Sequence, residues 1–189
     1  MDRVDNRNNN RSLEILKEIF ENVNRWLQFA EAKNGALVGL NGFFLLKSID
    51  FLFDVINGNI KVDVLLVGGI VAIFFLAMLI ALKSFFPNTS VHKDKPDVNY
   101  TTISNDDKIL IFFEEICKYE NCKLYLRDIY KYYLDIDVKI EDLKKIELDY
   151  AKEILINCRI TSFKYKFFKI ALVLNIIGIS AILLFIIIA

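Results

Sequence analysis

Hydrophobic and polar positions fall into long blocks along this chain. From Ser12 onward, Leu13, Leu16, Phe20, Val23, Leu27 and Ala30 recur at helical spacing, with Glu14, Lys17, Glu21 and Arg25 on the other faces. That pattern predicts an amphipathic helix N-capped by Ser12. Gly35 to Leu46 is uncharged and mostly apolar, and the apolar character continues to Ile56 apart from Lys47, Ser48, Asp50 and Asp54. Asn57-Gly58-Asn59 reads as a turn. Val64 to Leu82 then has no charge and is bracketed by Asp63 and Lys83. This stretch is too long for a globular strand and long enough to cross hydrocarbon. The short turn makes the first two apolar segments a helical hairpin, so the first crosses if the second does. Ile170 to Ala189 is a third uncharged run.

The region between is different. Asn88 to Asn105 is polar, contains Pro96 and His92 and follows Pro87, which reads as a linker. Ser104 and Asp107 fit a capping box for a helix with Ile109, Phe112, Phe113 and Ile116 on one face. Leu124 to Tyr133 reads as a second short helix, with a strand as the alternative. A long helix starting near Ile140 carries Leu143, Ile146, Tyr150, Ile154 and Cys158 and runs into the third apolar segment. The expected fold is an all-α membrane protein with three transmembrane helices, an N-terminal hairpin plus a C-terminal span, and a small helical cytosolic region. The divisions are a disordered leader over 1–11, a cytosolic amphipathic helix over 12–34, and spans over 35–56 and 63–84. A linker over 87–105, a cytosolic helical region over 106–166 and a span over 167–189 follow.

Composition agrees with this segregation: 54% of residues are hydrophobic while 25% are charged, and neither a soluble domain nor a purely embedded one suits both figures. Zero net charge provides no basic field for nucleic acid. Cys117, Cys122 and Cys158 form no C-x-x-C pair, and with His92 as the sole histidine they read as packing residues, with no metal site. The leader is too polar for a signal peptide. Basic residues flank the cytoplasmic side of each span: Arg25 and Lys33, then Lys83, then Arg159, Lys164, Lys166 and Lys169. This distribution puts the N-terminus in the cytoplasm and the C-terminus outside.

Several features carry candidate chemistry. Lys47, Asp50 and Asp54 share one helical face. Such charges are costly in lipid, so they either form a polar stripe facing a protein interior or a water-filled path in an oligomer, or pair near the outer headgroups. Gly35, Gly39 and Gly42 form a small-residue stripe suited to close helix packing, within one subunit or between subunits. No phosphate-binding loop, zinc-protease or nucleophile-elbow motif is present, so an enzyme is not expected. Arg127, Lys131, Lys144, Lys145 and Arg159, amid Tyr125, Tyr130, Tyr132 and Tyr133, offer charge and stacking to a small anionic nucleotide. A solvated helical face with half-buried tyrosines is the plainer alternative.

Trp26-Leu-Gln-Phe29-Ala30-Glu31-Ala-Lys33 enters the first span, and Asp149-Tyr-Ala-Lys is followed by a helix reaching Lys164-Tyr165 before the last. In this order and layout the chain resembles the transmembrane effectors of bacterial Pycsar anti-phage systems. The resemblance implies a homo-oligomeric inner-membrane effector without a cofactor. Its implied ligand is a cyclic pyrimidine nucleotide, cCMP or cUMP, made by a partner pyrimidine nucleotide cyclase. Ligand binding would permeabilise the membrane and halt the infected cell. Of the resemblance's residues, Trp26 and Lys33 are expected as structural joints. Ligand contacts are not assigned by it, which leaves Arg127, Lys131 and Arg159 as candidates from charge alone. The competing readings are a membrane anchor or scaffold and a small defence effector gated by another signal.

Overall fold

The computed structural model describes residues 2–86 and 109–188. Its helices are α1 (Asp2–Ile56), α2 (Val64–Lys83), α3 (Phe113–Ile116), α4 (Cys122–Tyr133) and α5 (Lys145–Ile188), with a 3-10 turn at Ile140–Asp142. No strand occurs among the described residues, and α1, α2 and α5 are each long and apolar enough to cross a membrane. The protein is an all-α membrane protein.

α1 departs from expectation at its start. It begins at Asp2, so the leader expected to be disordered is drawn into the helix and Ser12 is not its cap. Once a helix is nucleated, each added residue costs little, and no proline stands in the way. The same reason merges the separate helices expected over 12–34 and 35–56 into one, since Asn34-Gly35 weakens a helix without breaking it. The expected linker over 87–105 and the Ser104/Asp107 capping box lie outside the described residues, as does His92.

The chain divides into two units, Met1–Gln28 with Asn88–Ser162, and Phe29–Pro87 with Phe163–Ala189. α1 and α5 each contribute to both. In the first unit the buried face of α1 is Ser12, Leu16, Ile19 and Val23, a slight rotation from the face expected through Leu13, Phe20 and Leu27. The same unit buries Leu110, Phe113, Ile116, Leu126 and Ile129, and Ala151, Ile154 and Cys158 of α5. Trp26 rests against Phe113 and Phe112, with ring centroids 5.7 and 6.4 Å away. The helix expected around Ile109 is reduced to α3, whose N-cap residue Phe112 makes no side-chain cap. α4 is helical, as its capping allows: the Asn121 side chain accepts from the Lys123 amide at 2.8 Å. It stops where Asp135 adopts φ 60°, while the Leu134 and Ile136 amides close back on the Tyr130 carbonyl. The helix expected from Ile140 is a 3-10 turn there, and α5 proper starts at Lys145.

The second unit packs the apolar halves of α1 and α5 with α2. Asp63 caps α2, accepting from the Leu65 amide at 2.9 Å. Its buried positions step by three, four or seven along each helix: Leu37, Asn41, Ser48 and Val55 on α1, Val67, Ile70, Phe74, Ala77 and Ala81 on α2, and Lys164, Ala171, Asn175 and Gly178 on α5. This is the seam spacing of helices packed knobs-into-holes.

Candidate functional site

At the end of the second unit where the basic residues gather, one side chain joins all three long helices. Lys164 of α5 places its ammonium 3.2 Å from Glu31 Oε1 of α1 and donates to the Ser84 carbonyl, just past α2, at 3.2 Å. The Phe85 ring centroid lies 5.6 Å from the same nitrogen. Asn34, fully buried, donates to the Lys164 carbonyl at 3.3 Å and to Ala30 at 2.9 Å. Lys33 sits over Phe29 at 4.3 Å, with Tyr165 and Phe168 at 5.4 and 5.5 Å, and Lys83 sits 5.3 Å from Phe167. Lysine ammonium groups held over aromatic rings suit a membrane–water boundary, where an apolar surface and a wet charge meet. Phe29, Ala30, Glu31, Lys33, Lys164 and Tyr165, distant in sequence, therefore meet in one layer. Trp26 belongs to the first unit.

Beyond this clasp the seam continues in layers. Leu37, Ala81 and Ala171 pack together. Phe44 stacks on Phe74 at 5.1 Å, and the Phe74 ring lies against Gly178, where an added Cβ would meet Phe74 Cζ at 2.8 Å. Phe51 meets Phe185 edge-on at 6.3 Å. Asn41 and Asn175 occupy the layer between the Leu37 and Phe44 levels and are 0% and 1% exposed. Neither was singled out in the sequence. The legible signal was a seven-residue repeat of polar residues, Asn34, Asn41 and Ser48, inside an apolar run.

The two expected intramembrane stripes lie elsewhere. Lys47 pairs with Asp50 at 3.6 Å, and both side chains are about two-thirds exposed, so this face does not point into the subunit's own seam. Asp54 accepts from Asn59 in the hairpin turn at 3.3 Å. Lys47 also edges an apolar cavity of about 290 Å³ lined by Phe44, Ser48, Phe51, Ile70 and Ile182. Of the glycine stripe, Gly39 and Gly42 have nothing within 4 Å of an added Cβ, and Gly35 meets only Phe85 at 4.0 Å. The stripe is open on this chain, whereas Gly178 and Ala171 of α5 provide close packing inside it.

In the first unit, the candidate cations and tyrosines are largely engaged. Arg159 donates to the Tyr119 and Glu120 carbonyls at 2.9 and 3.4 Å, which holds the turn before α4. Tyr125 is buried and donates to the Leu110 carbonyl at 2.8 Å. Tyr130 donates to the Glu147 carboxyl at 2.9 Å, and Ser12 donates to the same carboxyl, so α1, α4 and α5 share one buried polar knot. Burial pushes the Tyr130 phenol up to about 12, the hydrogen bond with Ser12 opposing and the Glu147 carboxyl reinforcing. Burial likewise raises Tyr119, whose hydroxyl donates to Asp128 at 2.7 Å. Arg127 lies 3.7 Å from Asp128 and Lys131 lies 5.3 Å from the Tyr132 ring; with Lys123 they form a basic row spaced by four on α4. Among the described residues no cluster of metal-ligating side chains occurs.

The chain matches the family model described as the Pycsar effector protein domain over residues 15–189. It belongs to the Pycsar effector family. That membership makes it a transmembrane effector of cyclic-nucleotide-signalled anti-phage defence, working in a system that includes a cyclase. No curated protein and no solved structure matches significantly.

Proposed function

We propose that this Pycsar effector senses a cyclic pyrimidine nucleotide, cCMP or cUMP, and permeabilises the bacterial inner membrane, arresting or killing the infected cell. The observation that carries this reading is the Lys164 clasp, a single side chain bridging α1, α5 and the end of α2. In the resting state the clasp holds the spans together; activation loosens it. The basic row on α4, with Lys123 and Lys131 exposed and Arg127 half-buried beside Asp128, is the ligand-binding face, because a cyclic phosphate seeks guanidinium and ammonium donors that are not already tied to carbonyls. Arg159 keeps a supporting role. The open Gly39/Gly42 face and the exposed Lys47/Asp50 face meet other copies in a homo-oligomer. The basic residues of the clasp layer favour an orientation with the N-terminus and the helical unit in the cytoplasm and the C-terminus outside.

The test is dye leakage from liposomes containing the full chain, titrated with cCMP, cUMP, cAMP and cGMP. Leakage triggered only by a pyrimidine cyclic nucleotide, with Lys164→Met leaking in the absence of any nucleotide, is the expected result. Silence toward every nucleotide from inserted, folded protein would transfer the reading to a different signal or to a membrane scaffold.

A further inference from the structure

Asn41 on α1 and Asn175 on α5 have no role in the clasp, and their hydrogen-bond accounts do not close. Both Asn41 amide atoms and Asn175 Oδ1 are fully shielded and have no partner among the described residues, while Asn175 Nδ2 donates to the Ala171 carbonyl at 2.8 Å. The layers on either side place the two carboxamides at one level. Leu37 packs with Ala171 and Ala81 on one side of it, and on the other Phe44 stacks on Phe74, which touches Gly178. Asn41 lies four residues after Leu37 and three before Phe44; Asn175 lies four after Ala171 and three before Gly178; Ala77 lies between Ala81 and Phe74. Ala77, itself fully buried, adds only a methyl group to this layer.

A direct contact cannot balance the account. One bond from Asn41 Nδ2 to Asn175 Oδ1 would still leave Asn41 Oδ1 and a second amide hydrogen bare. Inside a membrane span such groups are satisfied by protein or by bound water, because lipid provides neither donor nor acceptor. Small neighbours and convergent carboxamides are what a buried water requires.

We infer that Asn41 and Asn175 form an internal water-binding site within the spans, with Ala77 leaving the room for it. Water there bridges the two carboxamides and accounts for the three atoms of Asn41 and Asn175 that have no protein partner. The site is independent of which nucleotide activates the protein.

Water-edited solid-state NMR on the full 15N-labelled chain in lipid bilayers tests this without any nucleotide. Magnetisation from water is expected to reach the Asn41 and Asn175 side-chain amides several-fold faster than the backbone amides of Leu37 and Phe44. In Asn41→Leu the fast transfer to Asn175 should be lost, and in Asn41→Ser it should persist. Transfer to both asparagines as slow as to Leu37 and Phe44 would overturn the inference. So would side-chain contacts between copies detected in a mixed-label sample, because another subunit would then satisfy these amides. Should the leucine variant fail to insert, the wild-type build-up rates decide alone.

Discussion

Glu147 shows how a single residue can decide the packing of the first unit. Its carboxyl is 1% exposed, and Tyr130 and Ser12 both donate to it. A buried carboxyl deprived of such donors is strongly disfavoured, so this knot selects the register in which α1, α4 and α5 meet. Tyr130 also makes that register sensitive to alkali. Its phenol titrates near 10.0 in the unfolded chain and at about 12 in the fold, chiefly because burial penalises the phenolate. The folded state therefore holds the proton more tightly. The associated stabilisation is fully present below about pH 10 and is lost as pH rises toward about 12. Comparing wild type with Tyr130→Phe by circular dichroism in detergent, the stability gap should shrink across that interval. A gap that stays constant through it would show that Tyr130 titrates as an ordinary exposed phenol.

At the scale of elements, the spans pack by contrast between large and small. Phe74 of α2 is held on one side by the Phe44 ring, stacked with planes 13° apart, and on the other by Gly178 of α5. A methyl group at position 178 would come within 2.8 Å of Phe74 Cζ, and the ring cannot swing away without unstacking from Phe44. Gly178→Ala should destabilise the bundle by roughly 1–3 kcal/mol, the usual effect of overpacking. Thermal unfolding in nanodiscs checks this, and adding Phe74→Leu should recover part of the loss. Gly39→Ala has no such neighbour on the chain, so it should leave the thermal unfolding of the bundle unchanged. Gly178 therefore packs inside the subunit, whereas Gly39 presents an open face.

For the whole molecule, the functional division follows the division of charge. Lys123 and Lys131 of the α4 row are exposed and basic, so reversing them tests ligand binding without touching the seam. Lys123→Glu with Lys131→Glu should lower nucleotide affinity at least tenfold, as expected when charge-assisted hydrogen bonds are removed. Membrane insertion should be unaffected. Calorimetric titration with the activating nucleotide measures the first and flotation with liposomes the second. Unchanged affinity would place the nucleotide elsewhere in the helical unit. The spans, the hairpin turn and the tyrosine-rich helix were all legible beforehand, because hydropathy and helical spacing are local properties. The clasp was legible only as two separate motifs, one around Glu31 and one around Lys164, with nothing in their spacing to say that they meet.

The sequence alone determined the helical class, the three apolar spans and the basic residues at their ends, since each follows from which side chains tolerate lipid and which do not. Tertiary structure decided the partners. It turned Ser12 from a cap into a donor to Glu147, and it turned the Lys47/Asp50 pair away from the subunit's own seam. It also buried Asn34, Asn41 and Asn175 where isolated helices would leave them in contact with lipid or solvent. The physical reason is that helix phase and helix pairing depend on how large and small residues from distant parts of the chain interlock. That information is absent from any one segment.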